Sequence, residues 1–294
     1  MENSNYNLSK TKSASLTFLV MMFIYLVLIL LIPSVLATFL QKDSIVFSAI
    51  TSFISPISIV LSLLLIKFLG GEKPNKLLKN LKFNPVFIPV SAIISLSLLV
   101  GFGFINIYIS IALNLGGTSI VFNGVGSYIL YIVTTAIVPA VFEEIFFRGY
   151  ILENLREAGD IFAIIFSGLF FALFHLSLSQ FVFQFICGIV FAIIKIKSKS
   201  IIPSIIAHFS NNFIILTLLY FKVNEEFLLN PIYIAIGIIV CVSIVLLMCF
   251  VKNKNQSKSP KNKFQTNKAK EFFIPFGIIG ALICLTMIIG GLFA

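Results

Sequence analysis

The chain has 294 residues, 59% of them hydrophobic and only 11% charged, with a formal net charge of +10. One water-soluble core cannot bury so large an apolar fraction, so a soluble domain is excluded and a multi-spanning membrane protein follows. The positive charge does not mark a nucleic-acid binder, because the lysines fall in segments between apolar runs and not along one face.

The expected fold is all-α, a polytopic membrane helix bundle with eight or nine transmembrane helices. Residues 1–15, rich in Asn, Ser and Lys, read as a disordered cytoplasmic tail. The first apolar run, 16–40, follows Lys10 and Lys12 and has Ala37 where a signal peptide could be cut. It outlasts a typical signal-peptide core, which predicts a retained anchor. Further runs at 44–66 and 85–115 complete a set of N-terminal helices over 16–126. Runs at 127–150, 161–178, 181–194 and 201–221 form a core over 127–221, and 231–251 supplies an additional span within 222–251. A basic linker over 252–271 then leads to a last helix within 272–294.

With nine alternating spans and a cytoplasmic N-terminus, 18 of the 21 basic residues fall inside, in Lys10 and Lys12, Lys67 to Lys82, Arg156, Lys195 to Lys199 and Lys252 to Lys270. Lys42 and Lys222 fall outside and Arg148 lies in a span, a bias that predicts topology and an external C-terminus. Cys187, Cys241, Cys249 and Cys284 stand singly in apolar segments without metal-ligand spacing, as packing residues do. The abundance of Phe, 33 residues against no Trp, suits lipid-facing helices and carries no chemistry.

The chemistry lies in polar residues stranded inside apolar runs. Glu143, Glu144 and Arg148 interrupt the fourth run, and the only two histidines, His175 and His208, also sit in apolar segments. Ionisable groups at membrane depth are costly and mark functional sites. Ala158-Gly159-Asp160 predicts the turn of a helical hairpin, with Gly ending one helix and Asp capping the next. Glu143 lies 16 residues before Gly159 and His175 lies 16 after it, so at 1.5 Å per residue both stand about 24 Å from the turn. His208 and Asn212 share a helix face at i, i+4, about 14 Å beyond the Lys195 to Lys199 loop. Glu144 and Arg148, also i, i+4, predict an ion pair, which leaves Glu143 free. A carboxylate in a site of low dielectric can take a proton from water, a neighbouring imidazole can orient that water, and a second imidazole with an amide can stabilise an oxyanion. Asn211 is adjacent and could take the amide role instead. Ser210 and Thr134 suit hydrogen bonds to their own helices, and Glu225 and Glu226 read as solvated loop charges.

Glu143-Glu-Ile-Phe-Phe-Arg148, Phe171-Ala-Leu-Phe-His175 and His208-Phe-Ser-Asn-Asn212 resemble the EExxxR, FxxxH and HxxxN motifs of the CPBP intramembrane proteases. That family includes type II CAAX prenyl endopeptidases and bacterial bacteriocin-processing or immunity proteins. Pro139, Phe147-Arg-Gly-Tyr150, Gln184, Gly188 and Ile202-Pro-Ser204 extend the resemblance. It implies that Glu143 and His175 activate water, that His208 and Asn212 form an oxyanion hole, and that Glu144 and Arg148 support the site. The family is often labelled a metalloprotease, and Glu143, His175 and His208 could supply three zinc ligands. The lack of a helical HExxH pair, and the poor fit of an Asn to zinc, favour catalysis without a metal cofactor. The implied partner is a membrane-associated peptide or protein of CAAX or bacteriocin type, within the lipid bilayer. The Asn/Lys/Ile-rich composition points to a bacterial cell membrane. Two other classes share these residues: a proton-coupled transporter, and a non-catalytic scaffold or immunity protein.

Overall fold

The computed structural model describes residues 8–42, 44–68, 81–115, 120–250 and 264–273, and every regular element among them is helical. Eight apolar helices follow in chain order: α1 Lys10–Leu36, α2 Ile45–Phe68, α3 Phe87–Ala112, α4 Val125–Ala158, α5 Asp160–Phe174, α6 Phe181–Ser198, α7 Ile202–Tyr220 and α8 Pro231–Phe250. All but α5 are long and apolar enough to cross a bilayer, and α5 has 15 residues. A short helix at 266–273, here α9, follows. The expected last span falls outside the described residues beyond 273, as do residues 1–7, most of the Lys67–Pro85 loop and Cys284.

Two expected boundaries are corrected. Helix α1 starts at Lys10 and not at residue 16, with Ser9 accepting from the Lys12 amide at 3.4 Å as its cap. The polar residues 11–15 are ordered because they have partners. Thr11 donates its amide to Glu157 at 3.3 Å, and the Ser13 and Tyr150 hydroxyls meet at 2.8 Å. The expected linker over 252–271 is likewise helical from 266. The Gln265 amide donates to the Ala158 carbonyl at 3.2 Å, Lys268 pairs with Glu157 at 3.4 Å, and Ser9 bonds Glu271. These contacts gather the start of α1, the α4–α5 turn and α9 at one end of the bundle. The basic end of α6 joins them, with Lys195 paired to Glu153 and Lys197 donating to the Cys249 carbonyl at 3.2 Å. The lysine-rich ends of successive helices therefore share one face, as alternating spans require.

Phe272 of α9 anchors that end. It is fully buried, with ring centroids 4.7 Å from Phe166, 5.3 Å from Phe162 and 5.4 Å from Phe170 of α5. Phe170 in turn stacks on Phe18 of α1 at 3.9 Å. Phe272→Ala is expected to cost about 3 kcal/mol or more, read as a lower unfolding midpoint in detergent micelles.

Helix pairs inside the bundle approach through glycine. A Cβ on Gly101 of α3 would lie 2.7 Å from the Ile238 nitrogen of α8, and one on Gly237 would lie 2.4 Å from the Gly101 nitrogen. A second crossing joins Gly168 of α5 to Gly188 of α6. In a bilayer the lipid is as apolar as the side chains, so close backbone packing of this kind supplies much of the association. Hydroxyls inside the helices are mostly returned to their own backbone. Ser58 donates to the Ile54 carbonyl at 2.7 Å and Thr134 to that of Leu130 at 2.9 Å.

Candidate active site

The hairpin forms where the spacing predicts it. Gly159 turns with φ +125, a conformation that suits glycine, and α5 begins at Asp160. Asp160 is not the cap, however. Gly159 takes that position, and the Asp160 carboxylate accepts from Arg156 Nε at 2.7 Å.

Helix α4 is not regular. It carries two stretches of wider π-type turn, Ile132–Ile137 and Ile145–Ile151, on either side of Val138–Glu144. Such widened turns collect at functional sites because they re-aim side chains. Here they flank both glutamates. Pro139 has no N–H, so it cannot donate to the Thr135 carbonyl four residues earlier. That carbonyl is taken instead by Asn212 of α7, whose Nδ2 donates to it at 3.2 Å, while Asn211 Nδ2 donates to Asn212 Oδ1 at 3.4 Å.

Glu144, Arg148 and His208 form the centre of the site. All three are buried, with Arg148 and Glu144 at 0% exposure. Arg148 Nη1 donates to Glu144 Oε1 at 2.8 Å, Nη2 donates to the Gly188 carbonyl at 3.1 Å, and His208 Nδ1 lies 3.1 Å from the same Glu144 oxygen. The i, i+4 pairing read from the sequence is present, and it also holds an imidazole from another helix. The guanidinium carbon lies 4.4 Å from the Phe171 ring centroid and 5.4 Å from that of Phe191, so aromatic faces replace part of its lost hydration. Phe171 is a common wall, its ring 4.7 Å from His175 and 5.4 Å from His208.

Glu143 is the carboxylate left over. Its Oε2 is buried without a hydrogen-bond partner and stands 4.0 Å from His208 Nε2, while Oε1 accepts from Ser55 of α2 at 3.4 Å. The expected partnership of Glu143 with His175 takes a different form. The imidazole facing Glu143 is that of His208, and His175 Nδ1 lies 2.7 Å from the Phe171 carbonyl. Two carboxylates against one guanidinium leave one negative charge without a cation in a buried site. Glu144 Oε2, Arg148 Nε and Asn211 Oδ1 are also buried without partners, so polar capacity is concentrated at this junction.

Among the described residues no group of three His, Cys, Asp or Glu is placed to hold a metal ion. His208 Nδ1 is engaged by Glu144, which leaves its Nε2 as the open ring nitrogen, and His175 Nδ1 lies against the Phe171 carbonyl.

The crossing of α5 and α6 touches the same centre, because Gly188 lends its carbonyl to Arg148. A Cβ there would lie 2.7 Å from the Gly168 Cα. Gly188→Val is therefore expected to push the helices apart, lowering the unfolding midpoint by the equivalent of about 1–3 kcal/mol or more. Gly126→Ala, where nothing lies within 4 Å, should leave the midpoint unchanged or raised.

Fold and site together define a polytopic helical membrane protein with a buried Glu/Arg/His centre built from α4 and α7. Residues 124–214 match the family model described as Type II CAAX prenyl endopeptidase Rce1-like, in agreement with the motif resemblance. The match spans about a third of the chain and contains Glu143, Glu144, Arg148, His175, His208 and Asn212. Neither the curated proteins nor the solved structures provide a match to the chain.

Sequence reasoning missed Ser55 and the Thr135 carbonyl. Ser55 gave no distinguishing signal, being one of several serines in its helix. Thr135 could have been found, since a proline inside a helix identifies the carbonyl four residues before it as lacking its usual donor.

Proposed function

We propose that this protein is an intramembrane endopeptidase that hydrolyses a peptide bond of a membrane-associated substrate with water activated by Glu143. The observation that carries the reading is the buried, unpartnered Glu143 Oε2 facing His208 Nε2 at 4.0 Å. A single water molecule bridges a gap of that size with two ordinary hydrogen bonds. Glu143 takes a proton as the water oxygen bonds to the scissile carbonyl carbon. The proton then passes to the leaving nitrogen as the C–N bond breaks. Glu144 fixes the His208 ring through Nδ1, which turns Nε2 to the water. Asn212 has a second N–H beyond the one given to Thr135, and this donates to the oxyanion, while His175 supplies the further imidazole beside the water.

The Rce1-like match favours a CAAX-type prenylated C-terminus as the first substrate class, with a small secreted peptide of bacteriocin type as the alternative. In a bacterial cell membrane with a cytoplasmic N-terminus, the lysine-rich end that carries the α4–α5 turn faces the cytoplasm. The test is incubation of the purified protein with both peptide classes in liposomes, wild type beside Glu143→Gln, with and without chelator. Cleavage by wild type that survives chelation and is lost in the variant supports metal-free glutamate catalysis. Substrate flux without cleavage would replace the reading with transport.

A further inference from the structure

We propose that Ser55 is a positioning residue for Glu143, supplied by a helix that lies outside the family-matched segment 124–214. The inference deepens the reading above and rests on Glu143 being the working base.

Three observations support it. First, Ser58 and Ser62 of the same helix give their hydroxyls to the carbonyls of Ile54 at 2.7 Å and Ile59 at 2.8 Å, as membrane serines commonly do. Ser55 instead reaches across to Glu143 Oε1 at 3.4 Å. Second, the chain is prepared for this. Helix α2 is broken between Ile45–Thr51 and Ile54–Phe68, so Ser55 sits in a first turn, with Pro56 beside it. The N-terminal turn of a helix also favours a negative charge at its mouth. Third, holding Oε1 leaves Oε2 as the free oxygen, and Oε2 is the one that faces His208. A carboxylate with both oxygens loose can rotate and lose the geometry on which an attacking water depends. Apo contacts of this kind are long and tighten when substrate arrives.

The experiment pairs kinetics with a stability cycle. Ser55→Ala is expected to lower kcat about three- to tenfold, the size of one hydrogen bond, with KM unchanged, and Ser55→Thr to restore most of the loss. A merely structural serine gives no such split and no rescue. Independently of turnover, Ser55→Ala should lower the unfolding midpoint of the wild-type protein but not that of Glu143→Ala, where the acceptor is gone. Equal shifts in both backgrounds overturn the proposal. Should wild type cleave neither peptide class, the protease reading fails, and the stability cycle alone still decides whether Ser55 holds Glu143.

Discussion

Glu143→Gln is expected to lower kcat for peptide hydrolysis by about 10²–10⁴-fold, the typical contribution of a positioned general base, while leaving the protein folded. The second half of that expectation gives the test its force. Glu143 is buried, and its Oε2 has no hydrogen-bond partner. With Glu144 it opposes a single guanidinium, so replacing it by a neutral isostere removes an uncompensated charge. The unfolding midpoint in mixed micelles should therefore hold or rise as activity disappears, which is the trade expected where a site is strained for function. A variant that loses activity and midpoint together would make Glu143 a structural residue. One that keeps both would end the hydrolytic reading.

Arg148→Met should have the largest effect on stability, about 3–5 kcal/mol, because it removes one partner of a buried pair and strands the others. Arg148 is fully buried and joins Glu144, the Gly188 carbonyl and the ring of Phe171, so three helices lose their common tie at once. Arg148→Lys should not restore it, since an ammonium cannot reach Glu144 and the Gly188 carbonyl together in the planar fork that Arg provides. Adding Glu144→Gln to Arg148→Met should recover part of the loss by removing the stranded carboxylate. Midpoints for the two single variants and the double variant check this, and additive losses would show that the pair is not coupled.

Much of this centre was legible in the chain because its signals are local. An Arg four residues after a Glu can pair only along one helix face, and Gly159 midway between Glu143 and His175 predicts a hairpin whose two arms come level. The aromatic and apolar runs predicted helices, since no other element buries so much backbone in lipid. What escaped depended on distant or cooperative partners. Ser55 meets Glu143 across 88 positions of sequence, and no periodicity distinguishes it from Ser58. His208 faces Glu143 because the rotation of α7 is set by packing against α3 and α4, which residue counting along one hairpin does not contain. Residues 10–15 and 266–271 read as parts of a disordered tail and of a basic linker because polar composition suggests solvation. Their hydroxyls and charges are instead spent largely on Tyr150 and Glu157 of α4, at one end of the bundle.

The bond from Asn212 to Thr135 ends on a main-chain oxygen, so the side chain at position 135 contributes nothing to it. Many residues could stand there without loosening the docking of α7, whereas exchanging Pro139 for a residue with an amide hydrogen would offer that oxygen a rival donor from its own helix. The anchoring of Asn212 is thus written at a position that never touches it, in the form of a hydrogen atom left out.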